Sequence, residues 1–161
     1  MLGHPVDCMD FSSVALKQLA YHAERQGVSA RINPILFDAN TGALPEEVGE
    51  IGGFYARSAL HVDDETLMHL LTDVNDRLVP GGVALIEGKS TNDPKIVRSE
   101  HLGNGLAIDP EEDGHLRRVW TPELIADICT TLGWSALEQA SVKEENWAGT
   151  NANFLRLVAK K

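Results

Sequence analysis

Cysteine is scarce in this chain, two among 161 residues. Cys8 and Cys129 stand far apart in apolar segments, a usage that fits reduced thiols in a core and excludes a small fold stapled by disulfides. Basic runs are missing too. No stretch of five lysines or arginines occurs, and 14 basic against 24 acidic residues leave a formal net charge of -10 with the histidines neutral. A surface of that sign repels nucleic-acid phosphates, so no nucleic-acid partner is expected. No apolar run approaches the ~20 residues of a membrane-spanning helix, and the opening residues lack a charged segment followed by a long apolar stretch. The expectation is a cytoplasmic protein with no membrane partner. The six histidines, His4, His22, His61, His69, His101 and His115, form no compact ligand motif, so no metal site is expected, and His22 and His69 belong on helix surfaces.

Hydrophobic residues make up 43% of the chain, enough for one substantial core, and the length favours a single domain over residues 1–161. The pattern along the chain is α/β. His4 to Met9 reads as a short buried strand reaching Asp10, with Ser12 and Ser13 as hydroxyl caps for a helix over Val14 to Arg25. Arg31 to Phe37 returns to extended character and ends at Asp38, with Asn40, Thr41 and Gly42 marking a turn. Glu46 to Glu50 reads as a short helical turn on the surface.

The segment from Ile51 to Lys89 carries the clearest signal. A short apolar strand to Ala56 leads into a polar rim, then a helix whose Leu67, Leu70, Leu71, Val74 and Leu78 share one side, capped by Asp63 or Asp64. Pro80, Gly81 and Gly82 stop that helix and turn the chain into a second apolar strand. Strand, crossover helix and strand make a right-handed βαβ unit, whose ligands bind at the carboxyl ends of the strands. Attention therefore falls on the residues after Ala56. Beyond Lys89, residues 89–119 read as an irregular insertion or substrate-facing lid, interrupted by Gly103, Gly105, Pro110 and Gly114. Thr121 caps a helix that Gly133 ends. Trp134 to Val142 and Asn153 to Ala159 then suggest an antiparallel pair closing a mixed sheet, with Trp134 in the core and Trp147 over a pocket or anchoring the loop between them.

The order of these segments resembles a class I S-adenosylmethionine-dependent methyltransferase. VDCMDFSS looks like the strand and ribose-binding acidic segment, and ILFDANTG like the adenine-side acidic segment. FYARSALHVDD resembles the region after the fourth strand, LVPGGVALIEG the turn and fifth strand, and WTPELIADICTTLGW with NFLRLVAK the last helix and terminal strands. The resemblance implies a Rossmann-like methyltransferase fold, S-adenosyl-L-methionine as cofactor, and methyl transfer to a small molecule. It also implies a first strand and glycine-rich loop, and no suitable segment precedes His4. That strand would lie between the second and fourth, so the fold is expected to be incomplete at its N-terminus, with an exposed central edge. Three explanations stand side by side: a fragment of a complete enzyme, a gap closed by dimerisation, another chain or rearranged strand order, or a different α/β arrangement. The partners expected are thus a homo-oligomer, dimer included, or a missing N-terminal segment.

For the cofactor, the resemblance points to Asp10 on the ribose hydroxyls, Asp38 and Ala39 beside the adenine, and Arg57 and Ser58 at the methionine end or acceptor pocket. Asp10 and Asp38 also read as a helix cap and a turn residue. His61 and His115 are the candidates for proton exchange on the acceptor side. Lys89, Asp93, His101, Arg117, Arg118 and Trp120 could shape a polar acceptor site with an aromatic wall, whereas a salt-bridge network is the plainer reading of Arg117 and its neighbours. Two other functions compete. One is a noncatalytic interaction or regulatory subunit that kept the cofactor-like fold; the other is an NAD-binding oxidoreductase, disfavoured because no GxGxxG precedes Asp10.

Overall fold

A computed structural model describes residues 3–145 and 151–161. Trp147 lies outside the described residues. Strand β1 (Val6–Asp10) leads into helix α1 (Ser13–Arg25), capped by Ser12, whose Oγ accepts from the Ala15 N–H at 3.2 Å. Strand β2 (Ile32–Leu36) runs parallel to β1, Val6 opposite Ile32. Strand β3 (Ile51–Arg57), helix α2 (Asp64–Arg77) and strand β4 (Leu78–Lys89) form the parallel βαβ unit. Asp63 caps α2 through the Thr66 N–H at 2.8 Å. A one-turn helix α3 (Pro94–Val97) precedes three short strands, β5 (Glu100–Gly103), β6 (Leu106–Asp109) and β7 (His115–Arg118). Helix α4 (Pro122–Leu132) and the long strands β8 (Ser135–Glu145) and β9 (Asn151–Lys160) complete the chain.

The strands make three separate sheets, in the orders β1-β2, β3-β4-β9-β8 and β5-β6-β7. The break between β1 and β3 falls where the resemblance places the absent central strand. A second expected feature is also present: β9 lies antiparallel to both β4 and β8, giving the mixed sheet its antiparallel end. Despite the break, one core spans both parallel units. Ile35 of β2 and the half-buried Met9 of β1 pack into the same cluster as Phe54 and Ala56 of β3.

The centre of that cluster follows from helical spacing. Leu67, Leu70, Leu71 and Val74 of α2 are fully buried, and Ile125 and Ile128 of α4 join them over Ala84, Ile86, Leu157 and Ala159 of the sheet. Trp134 is buried as expected, and its indole N–H donates to Asn75 at 2.8 Å.

Three expectations need correction. Residues 89–119 are not irregular: they hold α3 and a three-stranded antiparallel sheet. Its strands are four residues long, and their turns use left-handed backbone at Gly103, Asn104, Gly105, Asp113 and Gly114, so the sequence shows more punctuation than strand. Glu46 to Glu50 forms no helix. A single turn remains, the Val48 N–H donating to the Pro45 carbonyl at 3.1 Å, and the Arg77 guanidinium donates to the carbonyls of Leu44, Pro45 and Val48. Finally, β4 starts at Leu78, directly after α2, and pairs there with Ile51; the Pro80-Gly81-Gly82 turn is an outward loop within β4 before pairing resumes at Val83 opposite Gly53.

Candidate functional site

Asp10 ends β1 with an exposed carboxylate. Its Oδ1 accepts the Ser12 N–H at 2.7 Å, while Ser12 itself caps α1. Asp10 is therefore not the helix cap. The Phe37 N–H donates to the Asp10 carbonyl at 3.0 Å, which sets the end of β2 beside it. Asp38 follows at that end. Its Oδ1 accepts from the Asn40 N–H at 2.9 Å and from the Asn40 side chain at 2.8 Å, capping a short 3-10 turn over Ala39–Thr41. Asp38 is thus committed to local structure through one oxygen, and Ala39 is half-buried behind it. These three residues form one group, at the carboxyl edge of the β1-β2 sheet.

Arg57, Ser58, His61 and His115 form a second group at the carboxyl ends of β3 and β4. Arg57 pairs with Glu144 and lies 5.1 Å from the Phe154 ring centre. Lys89 approaches the same ring, at 4.9 Å. Ser58 has a φ of 48°, left-handed backbone that a side-chain-bearing residue seldom adopts, and its N–H donates to the Glu87 carbonyl at 2.9 Å. This turn swings the chain from β3 towards His61.

His61 and His115 stand edge to face with ring centres 5.5 Å apart. The Arg118 N–H donates to His61 Nδ1 at 3.1 Å. Burial, followed by the charges of His115 and Arg117, lowers the His61 pKa to about 4. His61 is accordingly neutral near pH 7, with one ring nitrogen engaged by the backbone. This geometry makes it a positioning residue that ties the β3 rim to β7. His115, exposed at the start of β7, is the freer imidazole of the pair.

Two polar clusters support this rim. The buried Lys89 ammonium donates to Asp93 at 2.9 Å, and Asp93 also takes the Asn153 N–H at 2.9 Å and the Lys95 N–H at 3.0 Å. Arg118, 1% exposed, donates to the Val62 carbonyl at 3.0 Å and pairs with Asp64. Arg117 joins Asp109 and Glu112, the network that the plainer reading anticipated. Trp120 departs from expectation: it is buried, and its indole lies so close over Gly88 that a Cβ there would overlap it. It is part of the core and forms no open aromatic wall. His101 lines a cavity of about 250 Å³ with Thr91, Leu106 and Thr121, away from His61.

The tie from Arg118 to His61 and the Asp93 hub were not legible in the sequence, because each joins residues distant in the chain. The single hint was a pair of arginines at the end of an apparent loop.

No family model and no curated protein sequence matches the chain. Solved structures do. A SAM-dependent methyltransferase from Methanosarcina mazei matches 99% of this chain and 82% of its own, with TM-score 0.75 at 16% identity. The 1,6-didemethyltoxoflavin-N1-methyltransferase of Burkholderia thailandensis, crystallised with S-adenosylhomocysteine, matches 99% of this chain and 62% of its own, with TM-score 0.70 at 20% identity. The [4+2]-cyclase SpnF matches 98% of this chain and 67% of its own, with TM-score 0.70 at 16% identity. The chain thus has the class I methyltransferase fold, in incomplete form, and spans less than two thirds of the Burkholderia enzyme.

Proposed function

We propose that this chain takes part in methyl transfer from S-adenosyl-L-methionine to a small molecule, as part of a complete or assembled enzyme. The observation that carries the reading is the Asp10 carboxylate, exposed at the end of β1 with one oxygen fixed by the Ser12 N–H. A carboxylate held there suits the two hydroxyls of a ribose. In this reading Asp38 and Ala39 serve the adenine side, and Arg57 and Ser58 the methionine end or the acceptor pocket.

Bound S-adenosyl-L-methionine would supply an electrophilic methyl group on a positively charged sulfur, a good leaving group that needs no activation by the protein. What the protein adds is alignment and exclusion of water. In this reading His115, exposed beside His61, takes the proton the acceptor loses, and His61 ties β7 to the β3 rim through the Arg118 N–H. The substrate proposed is a small molecule and not a nucleic acid, given the net charge of -10.

The noncatalytic reading also has an observation in its favour, the edges at β1 and β3 that are unpaired among the described residues. Calorimetric titration with S-adenosylhomocysteine separates the two. Methyl transfer requires saturable binding that Asp10→Asn weakens at least tenfold without lowering the unfolding midpoint. Absence of binding by the wild-type assembly, or equal affinity in Asp10→Asn, overturns it.

A further inference from the structure

Helices α2 and α4 turn their leucine, valine and isoleucine stripes into the core, and the faces beside those stripes leave a groove of about 550 Å³ between them. Met68 of α2 and Leu124 of α4, both half-buried against the core, give the groove an apolar floor, and Val119 joins them where β7 ends. The charges around that floor do not balance. Asp64 is paired with Arg118, the only lysine or arginine lining the groove among the described residues. Glu123 and Asp127 are left exposed on one side of α4, at i and i+4, with no hydrogen-bond or ion-pair partner among the described residues. Like charges at that spacing repel along a helix, and a cation held between them removes the repulsion. Across the groove stand His69 and Thr72 of α2.

We infer that this groove binds a small organic amine, its ammonium between Glu123 and Asp127 and its aliphatic or aromatic body on Met68, Val119 and Leu124. The two carboxylates select a cation, and the floor selects a carbon body over a hydrated one. A bare metal ion does not suit the site: among the described residues no three His, Cys, Asp or Glu side chains come together to hold one. A protein partner does not suit it either. Interfaces between proteins are anchored by large apolar residues, and none of those left exposed among the described residues lies on α2 or α4. The space is instead that of a single drug-sized molecule. None of the residues that would hold the amine belongs to the cofactor and acceptor groups around Asp10, Arg57 and His115, so the site stands or falls separately from methyl transfer.

The test is titration of the isotope-labelled full chain with phenethylamine, followed through its amide chemical shifts, with phenethyl alcohol and hydrocinnamate as the neutral and anionic counterparts. Saturable shifts are expected at Met68, His69, Thr72, Val119, Leu124 and Asp127, with the alcohol and the hydrocinnamate binding at least tenfold more weakly. Glu123→Gln combined with Asp127→Asn should weaken the amine at least tenfold and leave the alcohol unchanged. Both positions are exposed, so the unfolding midpoint should stay where it is. Thr131→Arg places a tethered guanidinium one turn beyond Asp127 and should weaken the amine by a similar factor. Absence of saturable binding overturns the inference, as does equal affinity for amine and alcohol. Unchanged amine affinity in the double variant or in Thr131→Arg overturns it too, and so do shifts at Arg57, His61 and His115 in place of the groove.

Discussion

Gly88 and Trp120 show how a single missing methyl group can decide the packing. The indole of Trp120 occupies the space a Cβ on residue 88 would need. Gly88→Ala is expected to cost about 1 to 3 kcal/mol through overpacking, read as a lower urea midpoint with unchanged slope. His61 makes a different prediction. Its folded pKa of about 4 lies below the ordinary 6.5, so between those values the unfolded chain takes up a proton that the folded chain excludes. Stability is therefore constant above the upper value and falls with pH through the window, by on the order of 3 kcal/mol. His61→Asn keeps an acceptor for the Arg118 N–H and removes the titration, so the difference in unfolding free energy between pH 7 and pH 5 should shrink. At this scale the sequence was a partial guide. Asp10, Asp63 and Thr121 could be placed from their short-range patterns, because caps and strand ends are local. The neutral state of His61 could not, since it depends on burial and on His115 and Arg117 more than fifty residues away.

Elements were most legible where periodicity ran long. Helix α2 and its Asp63 cap could be read from the spacing of Leu67, Leu70, Leu71 and Val74, and α4 from Thr121 to Gly133. The β5-β6-β7 sheet could not, because four-residue strands carry too little alternation to stand out from their turns. Arg118 ties that sheet to the domain through Val62, Asp64 and the His61 ring, beside the Asp64 N–H bond to the Asn104 carbonyl at 3.2 Å. Arg118→Met keeps the buried stem and the backbone bond to His61 and removes the guanidinium donors to Val62 and Asp64. It should cost about 1 to 3 kcal/mol, and limited proteolysis should then cleave within residues 100–118 sooner than in wild type. Equal protease resistance would show that α3 and the strand pairing suffice to hold the sheet.

For the whole molecule, the expected strand order proved a sound guide, and the break predicted between the second and fourth strands of the family pattern is where the sheets part. The reason is that the crossover helix, the apolar strands and the antiparallel end each leave their own pattern, and only one order accommodates all of them. A substrate leaves no such pattern. The fold likewise accommodates more than one chemistry, as a cyclase among the similar structures illustrates.

The position of β9 governs when this protein can fold. Residues 151–160 sit between β4 and β8, bonded to both, so β4 has only β3 beside it, and β8 no described neighbour, until this stretch has been made. The four-stranded layer can therefore close only after residue 160 has left the ribosome, and nascent chains halted near residue 150 should remain protease-sensitive in β8.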